Sequence, residues 1–248
     1  MPSVNKLNKA QLEAVNHNNG PILVVAGAGT GKTTVITERI ARLIKEGLAS
    51  PEEILAVTFT EKASGEMEER VDKALPLGYS ELWISTFHGF CQRILERHGL
   101  DIGLPTDFKV IDQTKAWLLV RQNLESFDLS YYKPLGNPSH FIHALLSHFS
   151  RCKDEGIYPE EYAKYADELK IDLTTDGAES ETQRIKEVAL AYNKYQKLLL
   201  DNSYLDFGDL INYTVKLFKE RSHILEFYRK KFKYILTEKG RQEASLFE

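Results

Sequence analysis

The stretch from Ile22 to Thr33 constrains this chain more than any other. A short apolar run, Ile22-Leu23-Val24-Val25-Ala26, leads into Ala26-Gly27-Ala28-Gly29-Thr30-Gly31-Lys32-Thr33. Glycine at alternate positions lets successive backbone N–H groups turn toward one point. A helix opening at about Lys32 adds the positive end of its dipole to the same point. Such a cradle holds an anion. The apolar run before it, β-branched in part, reads as a strand buried on both faces. The helix after it carries Ile36, Ile40, Leu43 and Ile44 along one face, with Gly47 just past its end. Strand, loop and helix fall in the order that a P-loop needs, although Ala26 stands where glycine is commoner. In a P-loop, Lys32 reaches the β- and γ-phosphates of a nucleotide and Thr33 ligates Mg²⁺. The bland alternative is a glycine-rich strand-to-helix turn with no ligand.

The surrounding pattern extends this unit. Asn8 reads as a helix N-cap, with Gln11 in the capping-box position three residues on and a helix to about Asn16. Ile54 to Phe59 reads as a second buried strand. A helix follows with Ala63, Met67 and Val71 at i, i+4 and i+8, and Leu82 to Thr86 is a third strand. Strands alternating with helices predict a parallel α/β sheet. After about Leu100 strand-like runs nearly vanish until Lys233-Tyr234-Ile235-Leu236. Gln113 to Leu124 and Ser180 to Leu200 show helical spacing instead. The expectation is an α/β domain over residues 1–100 and 203–236, a mostly helical subdomain inserted over 101–202, and an atypical polar tail over 237–248.

Composition narrows the partners. The net charge is −4, so any nucleic-acid site must be local, built from a few groups in a groove. No apolar run approaches the ~20 residues of a membrane span, and the start has no secretory h-region. Cys91 and Cys152 form no disulfide framework, so a reducing cytoplasm is the simplest location. His140, His148 and Cys152 could share a helix face, but the two turns between the histidines suit a tetrahedral metal poorly. Arg229, Lys230, Lys231 and Lys233 read as a solvated helix end before a phosphate contact.

Five segments occur in a telling order: Leu7-Asn8-x-x-Gln11, the P-loop, Ala56-Val57-Thr58-Phe59-Thr60-x-Lys62-Ala63, Ile84-Ser85-Thr86-Phe87-His88, and Leu205-Asp206-Phe207-x-Asp209-Leu210. Together they resemble the superfamily 1 helicases of the UvrD/Rep/PcrA group, over essentially residues 7–236. The resemblance implies a parallel P-loop NTPase (RecA-like) sheet with an inserted helical subdomain. It also implies ATP and Mg²⁺ as cofactors, single-stranded DNA as partner, and 3′–5′ translocation driven by ATP hydrolysis.

The resemblance also assigns roles. Gln11 matches an adenine-reading glutamine, since a side-chain amide pairs with the N6 donor and N7 acceptor of adenine; it could equally serve only the capping box. Ala26, Gly27, Ala28, Gly29, Thr30, Gly31, Lys32 and Thr33 match the nucleotide cradle. Thr34 stands where the family usually has an arginine packed on the base. Phe59 matches an aromatic that stacks on bases, between Thr58 and Thr60, whose hydroxyls would meet phosphates; the ring could instead fill the core. Ser85, Thr86, Phe87 and His88 match a second DNA-contacting segment, with a purely structural histidine as the alternative. Asp206 and Asp209 match a motif usually written with Asp at the position of Gly208, and could simply cap a helix.

Walker B is where the pattern departs. After Tyr234-Ile235-Leu236 the family continues with a metal-binding Asp and a water-activating Glu. Aligned without a gap, Glu238 replaces the first and Lys239 the second. The sequence-based expectation is therefore the amino-terminal part of a helicase, with the second motor domain supplied elsewhere or by a partner chain. The alternative is a nucleotide- and DNA-binding module without turnover.

Overall fold

The computed structural model describes residues 7–27, 29–74, 82–169 and 178–238. In chain order these form α1 (Lys9–Asn16), α2 (Lys32–Lys45), β1 (Ile54–Thr58), α3 (Glu61–Ala74), β2 (Trp83–Thr86) and α4 (Phe87–His98). Next come β3 (Lys109–Val110), α5 (Gln113–Gln122), α6 (Ile142–Asp154), α7 (Pro159–Glu168) and α8 (Ala178–Asp201). The chain then continues through β4 (Tyr204–Leu205), α9 (Phe207–Glu220), α10 (Ser222–Lys231) and β5 (Tyr234–Thr237). Among the described residues no helix is long and apolar enough to cross a membrane.

The chain divides into two compact units. One runs to Cys91 and resumes at Arg221; the other is Gln92–Glu220. In the first unit β1 is the central strand of a three-stranded parallel sheet ordered β2-β1-β5, and all five of its residues are buried. The register pairs Thr58 with Thr86 and Val57 with Thr237, so β1, β2 and β5 end at one edge. Ile40, Leu43 and Ile44 of α2 pack with Ile54 and Ala56 of β1 and with Met67 and Val71 of α3. Gly47, at φ +68°, ends the α2 segment in the left-handed region that favours glycine, and the Leu48 N–H returns to the Leu43 carbonyl.

One expectation fails here. Ile22 to Ala26 is not a strand, and Leu23 and Val25 are 88% and 89% exposed. The composition suits a strand, but a strand also needs a neighbour to accept its ladder hydrogen bonds. β1 is already paired on both sides, and β5 is the sheet edge with no further strand beside it among the described residues.

The second unit is helical around one core. Phe149 of α6 stacks on Tyr192 and Tyr195 of α8 with ring centroids 5.0 and 5.5 Å apart, and Leu119, Val120, Ile142, Leu145 and Leu199 complete the layer. β3 and β4 form a two-stranded parallel pair, which hydrophobic patterning does not reveal at two residues each. This unit takes in α9, beyond the expected limit at residue 202. α9 packs on α6, where Asn212 Nδ2 donates to the Lys153 carbonyl at 3.1 Å.

Asp206 and Asp209 cap α9 reciprocally: Asp209 N–H donates to Asp206 Oδ1 at 3.0 Å, and Asp206 N–H to Asp209 Oδ2 at 3.1 Å. The buried Lys153 ammonium lies 2.6 Å from Asp206 and 2.8 Å from Asp209. A Cβ at Gly208 would stand 2.8 Å from Lys153 Cβ, so in this chain a side chain there would force Lys153 to shift. Burial pushes the Asp209 carboxyl up to about 6, against the pull of Lys153, and Asp206 adds to the rise.

Candidate functional site

The loop between Gly27 and Thr33 is built by two left-handed glycines. Gly29 has φ +74°, and Gly31, the N-cap of α2, has φ +86°. Side chains with a Cβ rarely adopt such angles. Because Gly31 carries no capping side chain and the first turn of α2 has no acidic residue, the opening N–H groups and the helix dipole stay available to an anion. The loop closes on its own carbonyl: Lys32 Nζ donates to Gly27 O at 3.0 Å and Thr30 Oγ1 to the same oxygen at 2.8 Å. Ala28 lies outside the described residues. Ala26 and Gly27 are exposed, and Thr33 and Thr34 are half-buried.

Gln11 reaches this loop from α1. Its Nε2 donates to the Thr30 carbonyl at 3.1 Å while its Oε1 accepts the Asn8 N–H at 2.8 Å. The capping box is complete, because Asn8 Oδ1 accepts the Gln11 N–H.

On the other side of the loop stands Glu238. Its N–H donates to the Val57 carbonyl at 2.9 Å, which carries the β5 pairing one residue further. Both of its carboxylate oxygens lie 3.3 Å from Thr33 Oγ1. A hydroxyl and a carboxylate are oxygen donors of the kind Mg²⁺ prefers, and Mg²⁺ commonly keeps several waters beside one or two protein ligands. The donor set therefore fits this ion.

The strand ends bring the remaining candidates to the same edge of the sheet, where open α/β sheets gather ligands. Phe59, directly after β1, is 62% exposed, so it is not core filler. Thr58 is fully buried and its hydroxyl donates to the Thr60 carbonyl. Thr60 is exposed and accepts the Ala63 N–H, capping α3. Thr86 is buried; it donates to Glu61 Oε1 at 2.8 Å and accepts the Gly89 N–H at 3.0 Å. The hydroxyls of Thr58 and Thr86 are thus spent inside the protein. Ser85, Phe87 and His88 are half-buried.

Glu61 is the residue that sequence reasoning missed. Its only signal was an acid in the first turn of a helix that follows a strand, and the bond to Thr86 depends on the neighbouring strand. Elsewhere, His148 Nε2 contacts Tyr162 Oη at 3.0 Å and Cys152 Sγ at 3.6 Å, while His140 packs against the Phe141 ring. Burial lowers the basicity of His148 and raises the Cys152 thiol.

The profile of the UvrD/REP helicase N-terminal domain matches residues 7–238. The chain is 40% identical over 230 residues to the ATP-dependent DNA helicase PcrA of Bacillus subtilis (strain 168), covering 92% of this chain and 28% of that protein. It is 40% identical over 239 residues to a probable DNA helicase II homolog of Rickettsia conorii, covering 95% of this chain and 33% of that protein. The ATP-dependent DNA helicase PcrA of Staphylococcus aureus (strain Mu50) is 38% identical over 232 residues, 94% of this chain and 29% of the relative. The chain thus spans about a third or less of the length of these relatives.

Proposed function

The chain belongs to the UvrD/REP helicase N-terminal domain family, and on that premise we propose that it is the ATP- and single-stranded-DNA-binding region of an ATP-dependent 3′–5′ DNA helicase or translocase. The first unit acts as the P-loop motor domain of RecA-like type, and the helical second unit is the subdomain inserted into it. A cytoplasmic location suits two buried free cysteines. The observation that carries the reading is the meeting of Thr33 and Glu238, 205 residues apart, beside the P-loop lysine.

In this reading the N–H groups from Gly27 to Thr33 receive the phosphates. Lys32 exchanges the Gly27 carbonyl for β- and γ-phosphate oxygens, trading a neutral acceptor for an anionic one. Thr33 and Glu238 hold Mg²⁺, which offsets phosphate charge when bound. Gln11 meets the base. Phe59 offers its exposed face to a nucleobase, and stacking of that kind tolerates any sequence. Thr60, Ser85, Phe87 and His88 line the same track, and further phosphate contacts come from a second motor domain or a partner chain.

A second reading, nucleotide and DNA binding without turnover, draws on Glu238 being the one carboxylate bonded to Thr33 among the described residues. A general base typically contributes about 10²–10⁴-fold, and a transition-state arginine about 10³–10⁵-fold. Phosphate release from ATP, with and without single-stranded DNA, separates the two. DNA-stimulated release that Lys32→Ala abolishes supports a motor; ATP binding with background release supports the binding module.

A further inference from the structure

The Gln11 amide is held at both ends. Oε1 accepts the Asn8 N–H at 2.8 Å, and Nε2 donates to the Thr30 carbonyl at 3.1 Å. Turning the amide over would set N–H against N–H and oxygen against oxygen, so two hydrogen bonds would become two repulsive contacts. The orientation is therefore locked. An amide oxygen has two lone pairs and an amide nitrogen two hydrogens, so among the described residues one of each is left over on Gln11. Nε2 sits over the last glycine of the loop, 3.1 Å from where a Gly31 Cβ would be, so the amide lies against the phosphate cradle.

A free acceptor beside a free donor matches the adenine edge, which presents the N6 donor beside the N7 acceptor. Guanine presents two acceptors there, O6 and N7, and O6 would face Oε1. An amide free to turn over could offer its NH₂ to O6 and would discriminate poorly. We propose that the Asn8 N–H, together with the Thr30 carbonyl, sets the hand of the Gln11 amide and thereby makes the site select adenine over guanine. Asn8 is then a positioning residue for base selectivity and not merely a helix cap. The inference rests on the nucleotide-binding reading of the P-loop.

The test separates cap from lock. Asn8→Ala removes the side-chain cap but keeps the N–H. Asn8→Pro removes both, and the Asn8 φ of −74° suits proline. An α-hydroxy analogue of asparagine at position 8 removes the N–H alone and serves if the proline variant fails to fold. Affinities of the full chain for Mg²⁺-ATP, Mg²⁺-GTP and inorganic triphosphate are compared by calorimetry. Wild type is expected to favour ATP over GTP by about tenfold or more. Asn8→Ala should keep that ratio while melting earlier. Asn8→Pro and the α-hydroxy analogue should bring it to within about threefold while triphosphate binding holds. Equal affinity of wild type for both nucleotides, or full preference in a chain lacking the N–H, overturns the lock and leaves the P-loop reading standing. If neither triphosphate nor ATP binds, the nucleotide reading falls and the lock with it.

Discussion

Thr33 Oγ1 lies 3.3 Å from both carboxylate oxygens of Glu238, a residue one step beyond the end of β5. The parallel register of β5 with β1 carries the acid to the mouth of the P-loop. If this pair holds Mg²⁺, Glu238→Gln should raise the Mg²⁺ concentration needed for ATP binding by roughly tenfold, because one of two protein ligands loses its charge. Titrating Mg²⁺ at fixed ATP measures this. An unchanged titration would remove Glu238 from the site.

Phe59 projects from the same edge with most of its ring exposed. Phe59→Ala should weaken single-stranded DNA binding by about 1–3 kcal/mol, whatever the sequence of the strand. Thermal stability should change little, since truncating an exposed ring leaves no cavity. Fluorescence anisotropy with homopolymeric and mixed oligonucleotides checks both the loss and its indifference to sequence. Full affinity in the variant would assign the ring another role.

The Asp209 carboxyl, raised by burial to about 6, takes up its proton at higher pH in the folded chain than in the unfolded one. Its contribution to stability is complete below the ordinary aspartate range and is lost as pH rises through about 6. Lys153 and Asp206 face it and set the size of the effect. Wild type should gain on the order of 1–3 kcal/mol relative to Asp209→Asn between pH 7 and pH 4. Urea denaturation across that range reads the difference. Parallel profiles for the two proteins would show that Asp209 does not titrate there.

Local patterns revealed part of this architecture. The helical spacing of Ile36, Ile40, Leu43 and Ile44 and the capping box at Asn8 report interactions within a few residues and formed as the spacing predicts; the buried run from Ile54 formed too, but stops at Thr58 and leaves Phe59 exposed. The Ile22–Ala26 run carries the same kind of signal, yet its outcome turns on a neighbouring strand that spacing does not encode. The site divides in the same way. Glycines 29 and 31 announced the left-handed turns that shape the loop. Burial of the Thr86 hydroxyl against Glu61, and of Lys153 between two aspartates, arises from contacts 25 or more residues apart. The resemblance gave Thr58 and Thr86 as DNA contacts, whereas in the structure Thr58 donates to the Thr60 carbonyl and Thr86 donates to Glu61 and caps the helix at Gly89.

The central claim is that Gly27–Thr33 is a working nucleotide cradle with Lys32 as its charge. A thermal melt of the chain with Mg²⁺ and increasing ATP tests it most directly, since a ligand that binds only the folded state must raise the melting temperature. The account predicts a rise that grows with ATP concentration and is absent in Lys32→Ala, whose own melting temperature without ATP matches wild type within a degree or two, because the bond of Lys32 Nζ to Gly27 is exposed. No shift in wild type, or an equal shift in Lys32→Ala, would contradict it.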